Sequence, residues 1–93
     1  MENELRSFVI KVSYILKKYG AKEIYLFGSA AWDQSHELSD LDIAISGLPP
    51  EKFFAAMGEA GDAINIPLDL IDLDENTPFT RYLRQEGELI RVD

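Results

Sequence analysis

The hydrophobic and polar positions of this sequence change period several times, and each change predicts a new element. Apolar residues recur at steps of three and four over residues 3–19, and Gly20 follows where a helix would end, so this segment is predicted to be an amphipathic helix. Residues 22–27 (KEIYLF) are β-branched and aromatic, which predicts a first strand. Residues 40–46 (DLDIAIS) alternate between large apolar side chains and smaller or acidic ones, which predicts a second strand with one buried face.

Proline and threonine mark boundaries in the second half of the chain. Pro67 lacks an N–H for a sheet ladder and therefore predicts a strand start or a sheet edge. Thr77 and Pro78 are typical of a helix start, with threonine as the cap and proline at the first helical position. The predicted elements are a helix over residues 51–63, a strand over 66–73, a helix over 79–86 and a short strand over 88–92.

The order of these elements predicts an α/β or α+β domain. The predicted order is helix, strand, strand, helix, strand, helix and strand. This order favours a small mixed β-sheet with helices packed mainly on one face. The chain has 93 residues, of which 46% are hydrophobic, and this is enough material for one compact core. Residues 1–93 are therefore predicted to form a single domain.

Composition narrows the classes of function. Nine basic residues stand against 17 acidic ones, and the formal net charge of −8 argues against direct nucleic-acid binding. The basic residues cluster near both ends and are interpreted as solvated surface. The chain has no cysteine, which excludes disulfides, zinc–thiolate sites and thiol nucleophiles. No apolar stretch approaches the roughly 18 residues that span a bilayer, so we expect a cytoplasmic protein without membrane contact.

Two aspartates lie at alternate positions of the second predicted strand. Asp40 and Asp42 project from the same side of that strand, with Cα atoms roughly 6.5 to 7 Å apart. Like charges this close need exposure to water, a raised pKa or neutralising cations. No lysine or arginine lies between Lys22 and Lys52, so a divalent metal ion is the simplest neutraliser. The alternative interpretation is a pair of cap or turn residues at the entrance of the strand.

A third aspartate and a Gly-Ser pair extend this pattern. Asp69 lies between Leu68 and Leu70, and it would reach the same sheet face if its strand neighbours the second one; otherwise it is an exposed edge residue. Carboxylate oxygens suit Mg²⁺ or Mn²⁺, and Mg²⁺ is commonly held by one or two carboxylates together with nucleotide phosphates. Gly28 and Ser29 follow the first strand, where we expect a short helical turn that binds phosphate through its N–H groups and the hydroxyl.

Together these motifs resemble those of the minimal nucleotidyltransferases of the DNA polymerase β superfamily. The resemblance extends over essentially the whole chain. It implies the nucleotidyltransferase fold, triphosphate binding by Gly28 and Ser29, and two Mg²⁺ ions held by Asp40, Asp42 and Asp69. The segments that carry it are LFGS at 26–29, SDLDIAI at 39–45 and PLDLIDLD at 67–74.

The resemblance also implies a reaction and a partner. A hydroxyl would attack the α-phosphorus of a nucleoside triphosphate in line, pyrophosphate would leave, and Asp69 is the candidate acceptor for the proton. Many such one-domain enzymes pair with a small helical toxin of the HEPN type and can attach AMP to one of its tyrosines. We therefore expect a toxin–antitoxin component that transfers AMP from ATP to a HEPN-type partner. The alternative is an antitoxin subunit with weak or no catalysis that acts by contact, and self-association of this chain is left open.

Overall fold

The structure, a computed structural model, describes residues 3–28, 39–86 and 89–93. Its elements occur in the predicted order, and their ends differ from the predicted ones by a few residues. A short 3-10 turn at Pro50–Lys52 leads into the second helix. The helical turn predicted at Ser29 lies outside the described residues. The elements are α1 (Asn3–Tyr19), β1 (Glu23–Phe27), β2 (Leu41–Ser46), α2 (Phe53–Asp62), β3 (Leu68–Asp72), α3 (Pro78–Glu86) and β4 (Ile90–Arg91).

The strands form one mixed sheet in the order β3-β2-β1-β4. β1 pairs antiparallel with β2 and β4, whereas β2 and β3 are parallel. A parallel pair needs a crossover connection, which α2 supplies. β3 lies at the edge of the sheet, as Pro67 predicted. The carbonyl of Pro67 accepts the N–H of Leu41 at 2.9 Å, and the N–H that proline lacks costs no hydrogen bond of the sheet ladder.

Helices cover both faces of the sheet, two on one face and one on the other, which agrees with the predicted arrangement. Leu41, Ile43 and Ile45 of β2 are fully buried against α1 and α2 in the larger core. Each such side chain contributes about 1.5 to 3 kcal/mol by leaving water. On the other face, a smaller apolar cluster joins Ala44 and Leu83, which lies in α3. The alternation in DLDIAIS therefore directs its large apolar side chains to α1 and α2 and its aspartates to the α3 face.

The predicted helix ends match local features of the structure. α1 stops before Gly20, which has a φ of 116° and whose N–H donates to the Lys17 carbonyl at 3.0 Å. At the start of α3, the Thr77 hydroxyl accepts the N–H of Thr80 at 3.1 Å, and Pro78 is the first helical residue. Within the described parts of the chain, no helix has the length and apolar character that crossing a bilayer requires.

Candidate metal and nucleotide site

Three aspartates converge at one end of the sheet, on the face that α3 partly covers. The parallel register of β2 and β3 sets Asp42 directly beside Asp69, and Asp40 lies just before β2. One carboxylate oxygen of each lies within 4.8 Å of the others. The condition left open by the sequence, that the second and third strands be neighbours, is therefore met. Asp69 is thus an exposed residue of the edge strand that also lies beside the other two aspartates, and its role as a metal ligand stays a prediction.

The environment of Asp42 disfavours its own negative charge. Burial is the largest cause, the charge of Asp40 adds to it, and a hydrogen bond and the charge of Asp69 follow, which together raise the pKa of Asp42 to about 6. Asp42 and Asp40 are half-buried, whereas Asp69 is exposed, so the cluster faces water on one side. An acidic group with a raised pKa is where a bound cation has the most repulsion to relieve.

Within the part of the chain that the structure describes, no lysine or arginine forms an ion pair with the cluster. Among residues 3–28, 39–86 and 89–93, the ion pairs involve other carboxylates, such as Asp93 with Lys17 and Glu59 with Lys18. Three oxygen ligands without a balancing lysine or arginine are a donor set that suits a hard divalent cation. The residues of this site therefore fit Mg²⁺ or Mn²⁺.

Gly28 is adjacent to the acidic cluster and has a steric role that the sequence alone did not reveal. Its φ of 75° lies in the left-handed region, and a Cβ added there would overlap Oδ2 of Asp42 and lie 2.9 Å from its Cγ. The cause is the antiparallel pairing of β1 and β2, in which Phe27 is the partner of Asp42. Glycine at this position thus lets the Asp42 carboxylate reach the site. Ser29 lies outside the described residues, and phosphate binding by the Gly-Ser pair stays a prediction.

An aromatic pair that was not expected from the sequence includes Phe27, the cross-strand partner of Asp42. Phe27 contacts Phe79 of α3 edge to face, with ring centroids 6.0 Å apart. Phe79 is 46% exposed although it lies next to the cross-strand partner of Asp42. The signal in the sequence was weak, because Phe79 occupies an ordinary position of an amphipathic helix and only the packing of α3 brings it to Phe27.

Comparison with known proteins identifies the family. The sequence model described as "Polymerase beta, Nucleotidyltransferase" matches residues 11–92. The chain belongs to this nucleotidyltransferase family. The match includes Gly28 and all three aspartates, so the acidic cluster lies within the family domain. No curated protein sequence gives a significant match.

Solved structures share the fold of this nucleotidyltransferase. The crystal structure of a toxin-antitoxin with AMP-PNP has a TM-score of 0.69 at 23% identity, covering 89% of this chain and 70% of that one. A chain in the structure of the tri-AMPylated Shewanella oneidensis HEPN toxin in complex with an MNT antitoxin has a TM-score of 0.67 at 20% identity. The match covers 94% of this chain and 70% of that one. At these identities the likeness shows a common fold, which agrees with the mixed sheet and three helices described above.

Proposed function

We propose that this member of the family is an active, metal-dependent enzyme that transfers AMP from ATP to a hydroxyl of a protein partner. The observation that carries the proposal is the convergence of three carboxylates within 4.8 Å beside Gly28. A scaffold that acts only by contact has no physical reason to hold three repelling charges together, since the repulsion and burial that raise the pKa of Asp42 also destabilise the fold.

The proposal gives each site residue a role. Asp40, Asp42 and Asp69 would hold Mg²⁺, with Mn²⁺ as a substitute, and two ions are expected by analogy with the superfamily. The metal would supply positive charge for the triphosphate and the leaving pyrophosphate. Asp69 is the most exposed of the three, which suits acceptance of the proton from the attacking hydroxyl. Gly28 and Ser29 would bind the triphosphate through the backbone and the hydroxyl.

The proposed acceptor is a tyrosine of a HEPN-type toxin, which makes this chain the antitoxin of a pair. Two of the structures that share its fold support this choice: one contains AMP-PNP, and the other contains an AMPylated HEPN toxin with its MNT antitoxin. The proposal includes a cytoplasmic location, where ATP and such a partner would be available.

The test uses ATP labelled at the α-phosphate, Mg²⁺, the purified chain and its HEPN-type partner. The wild type should label the partner, and Asp42→Asn should abolish the labelling. Asp72→Asn is the matched control, because it removes the same charge from β3 outside the cluster and keeps the oxygen that accepts the Asp74 N–H at 2.9 Å. Labelling that persists in Asp42→Asn would refute the metal assignment. A stable complex without any labelling would favour an antitoxin that acts by contact.

A further inference from the structure

The outer face of α1 combines exposed apolar side chains with most of the positive charge of the N-terminal half. Ile10 and Tyr14 are 58% and 72% exposed and lie one helical turn apart, so they form a ridge on the surface. At the helical period, Arg6 and Lys17 flank this ridge on one side, and Lys11 and Lys18 flank it on the other. The set comprises four of the nine basic residues of a chain whose net charge is −8.

A groove runs beside this ridge, between α1 and α2. It has a volume of about 420 Å³, which is within the range of ligand and side-chain pockets. Ile15 and Ala63 contribute apolar surface between the two helices. The groove and the ridge together offer a concave apolar surface with a cationic margin, and we name them the α1–α2 groove. Its lining consists of Ile10, Lys11, Tyr14, Ile15, Lys18, Glu59 and Ala63.

The α1–α2 groove is held in shape by contacts between its two walls. Glu59 of α2 accepts a hydrogen bond from the Tyr19 hydroxyl at 2.8 Å and forms an ion pair with Lys18 at 2.5 Å. These contacts fix α2 against α1 at one end of the groove. A preformed groove lowers the cost of ordering that binding would otherwise carry.

The lysines of α1 differ in whether contacts within this chain account for their positions. Lys17 and Lys18 lie in the last turn, where cations interact favourably with the helix dipole, and both have acidic partners. Lys11 lies in the middle of the helix and, among the described residues, takes part in no ion pair. It lines the groove next to Ile10 and is placed to meet a negative charge on whatever occupies the groove.

We propose that the α1–α2 groove docks an acidic amphipathic helix of a partner protein. Such a helix would insert apolar side chains between α1 and α2 and bring carboxylates to Lys11 and its neighbours, a mode of binding in which apolar anchors recur at helical spacing. A second copy of this chain fits less well, because a two-fold contact through α1 would set the same cationic rows against each other. A membrane surface fits less well, because a net charge of −8 is repelled by anionic lipid and a flat bilayer leaves a groove unfilled.

The docking surface and the acidic cluster lie on opposite faces of the sheet. α1 and α2 pack on the face of Ile43, whereas Asp42 and Asp69 lie on the face that α3 covers. An occupied groove therefore leaves the acidic cluster accessible. The proposal does not depend on catalysis, and it can be tested with a protein whose metal ligands are intact or replaced.

The test titrates the isotope-labelled full chain with two synthetic helical peptides and follows backbone NMR signals. Both peptides have about 17 residues, the length of α1, and leucines at helical spacing; the flanking positions are glutamate in one and lysine in the other. We expect the glutamate peptide to shift the signals of Tyr14, Ile15 and Ala63, and to bind more weakly as salt rises from roughly 0.05 to 0.5 M. The lysine peptide should bind at least about tenfold more weakly.

Substitutions locate the binding surface. Tyr14→Ala should weaken binding of the glutamate peptide by about tenfold. Phe54→Ala is the matched control, because Phe54 is an aromatic residue of α2 that is 76% exposed and does not line the groove. Lys11→Glu should reverse the preference between the two peptides, an outcome that simple loss of folding cannot produce.

Four outcomes would overturn the proposal. The first is equal binding of the glutamate and lysine peptides. The second is a glutamate peptide that shifts the NMR signals of residues outside the α1–α2 groove. The third is a mass in solution that rises with protein concentration and falls with Tyr14→Ala, which would identify a second copy as the occupant. The fourth is binding to phosphatidylserine vesicles without binding to the glutamate peptide, which would identify a membrane surface.

Discussion

The substitution Asp42→Asn should stabilise the metal-free protein while removing its response to metal. In the metal-free fold, burial and the charges of Asp40 and Asp69 work against ionised Asp42 and raise its pKa from 3.8 to about 6. An asparagine amide carries no charge, and its N–H₂ can donate to the neighbouring carboxylates. The residue proposed to bind metal is thus expected to be the one whose replacement most improves the fold without metal.

The size of this effect follows from the pKa. Each tenfold change in a proton equilibrium is worth about 1.4 kcal/mol, so a rise from 3.8 to about 6 corresponds to about 3 kcal/mol of destabilisation at neutral pH. Asp42 is only half-buried, and water screens part of the repulsion. We therefore expect Asp42→Asn to raise the free energy of unfolding by about 1 to 2 kcal/mol at pH 7.5.

The sign of the pH dependence is fixed by the direction of the change in pKa. A carboxyl with a raised pKa binds its proton more tightly in the folded state, so it favours folding at low pH, and that contribution is lost as the pH rises from about 4 to 6. The advantage of Asp42→Asn over the wild type should accordingly be largest above about pH 6 and vanish near pH 4. Carboxylates outside the cluster are common to both proteins, so their contribution largely cancels in the difference between the two.

Urea unfolding in EDTA and in Mg²⁺ measures both parts of this prediction. In EDTA at pH 7.5, Asp42→Asn should unfold at a higher urea concentration than the wild type. In Mg²⁺ the wild type should gain about 2.7 kcal/mol when the ion is at 100 times its dissociation constant, and the variant should gain little. Asp72→Asn should behave like the wild type in both conditions. A variant that is less stable than the wild type in EDTA would refute the electrostatic argument.

Three further predictions concern other residues. Gly28→Ala should lower the free energy of unfolding by about 1 to 3 kcal/mol and weaken Mg²⁺ binding measured by calorimetry. The control is Gly58→Ala, which adds a methyl group in open space on α2 and should raise the free energy of unfolding by about 0.5 to 1 kcal/mol. Equal effects of the two substitutions would contradict the contact between position 28 and Asp42. Thr77→Ala should cost about 1 kcal/mol in urea unfolding, and no change would mean that its cap bond is dispensable. Hydrogen bonds from Arg91, Lys17 and the Ile24 N–H hold the pKa of Asp93 far below its usual range, so Asp93→Asn should cost about 1 to 2 kcal/mol at pH 7. This cost should shrink below about pH 4, and a pH-independent cost would count against the ion pairs.

The sequence by itself predicted the elements and the acidic residues of the candidate site. Apolar residues spaced three and four apart over residues 3–19 predict a helix with one buried face, and α1 occupies that segment. The alternation of residues 40–46 assigned the aspartates to the face opposite Ile43 before any partner strand was known, because neighbouring side chains of a strand point to opposite sides. Pro67 and Thr77 marked the starts of elements through their own chemistry, the missing backbone N–H of proline and the side-chain hydroxyl of threonine. Local patterns suffice for features of this kind, since they depend on residues close in the chain.

The tertiary structure alone decided which distant residues meet. The pairing of Asp42 with Asp69 depends on a parallel register set by the α2 crossover, and the requirement for glycine at position 28 depends on the antiparallel register of β1 and β2. The packing of α3 brings Phe79 to Phe27, and the packing of α2 against α1 creates the groove. These features depend on contacts between residues far apart in sequence, and such contacts are set by how whole elements bury their apolar faces together rather than by any local pattern.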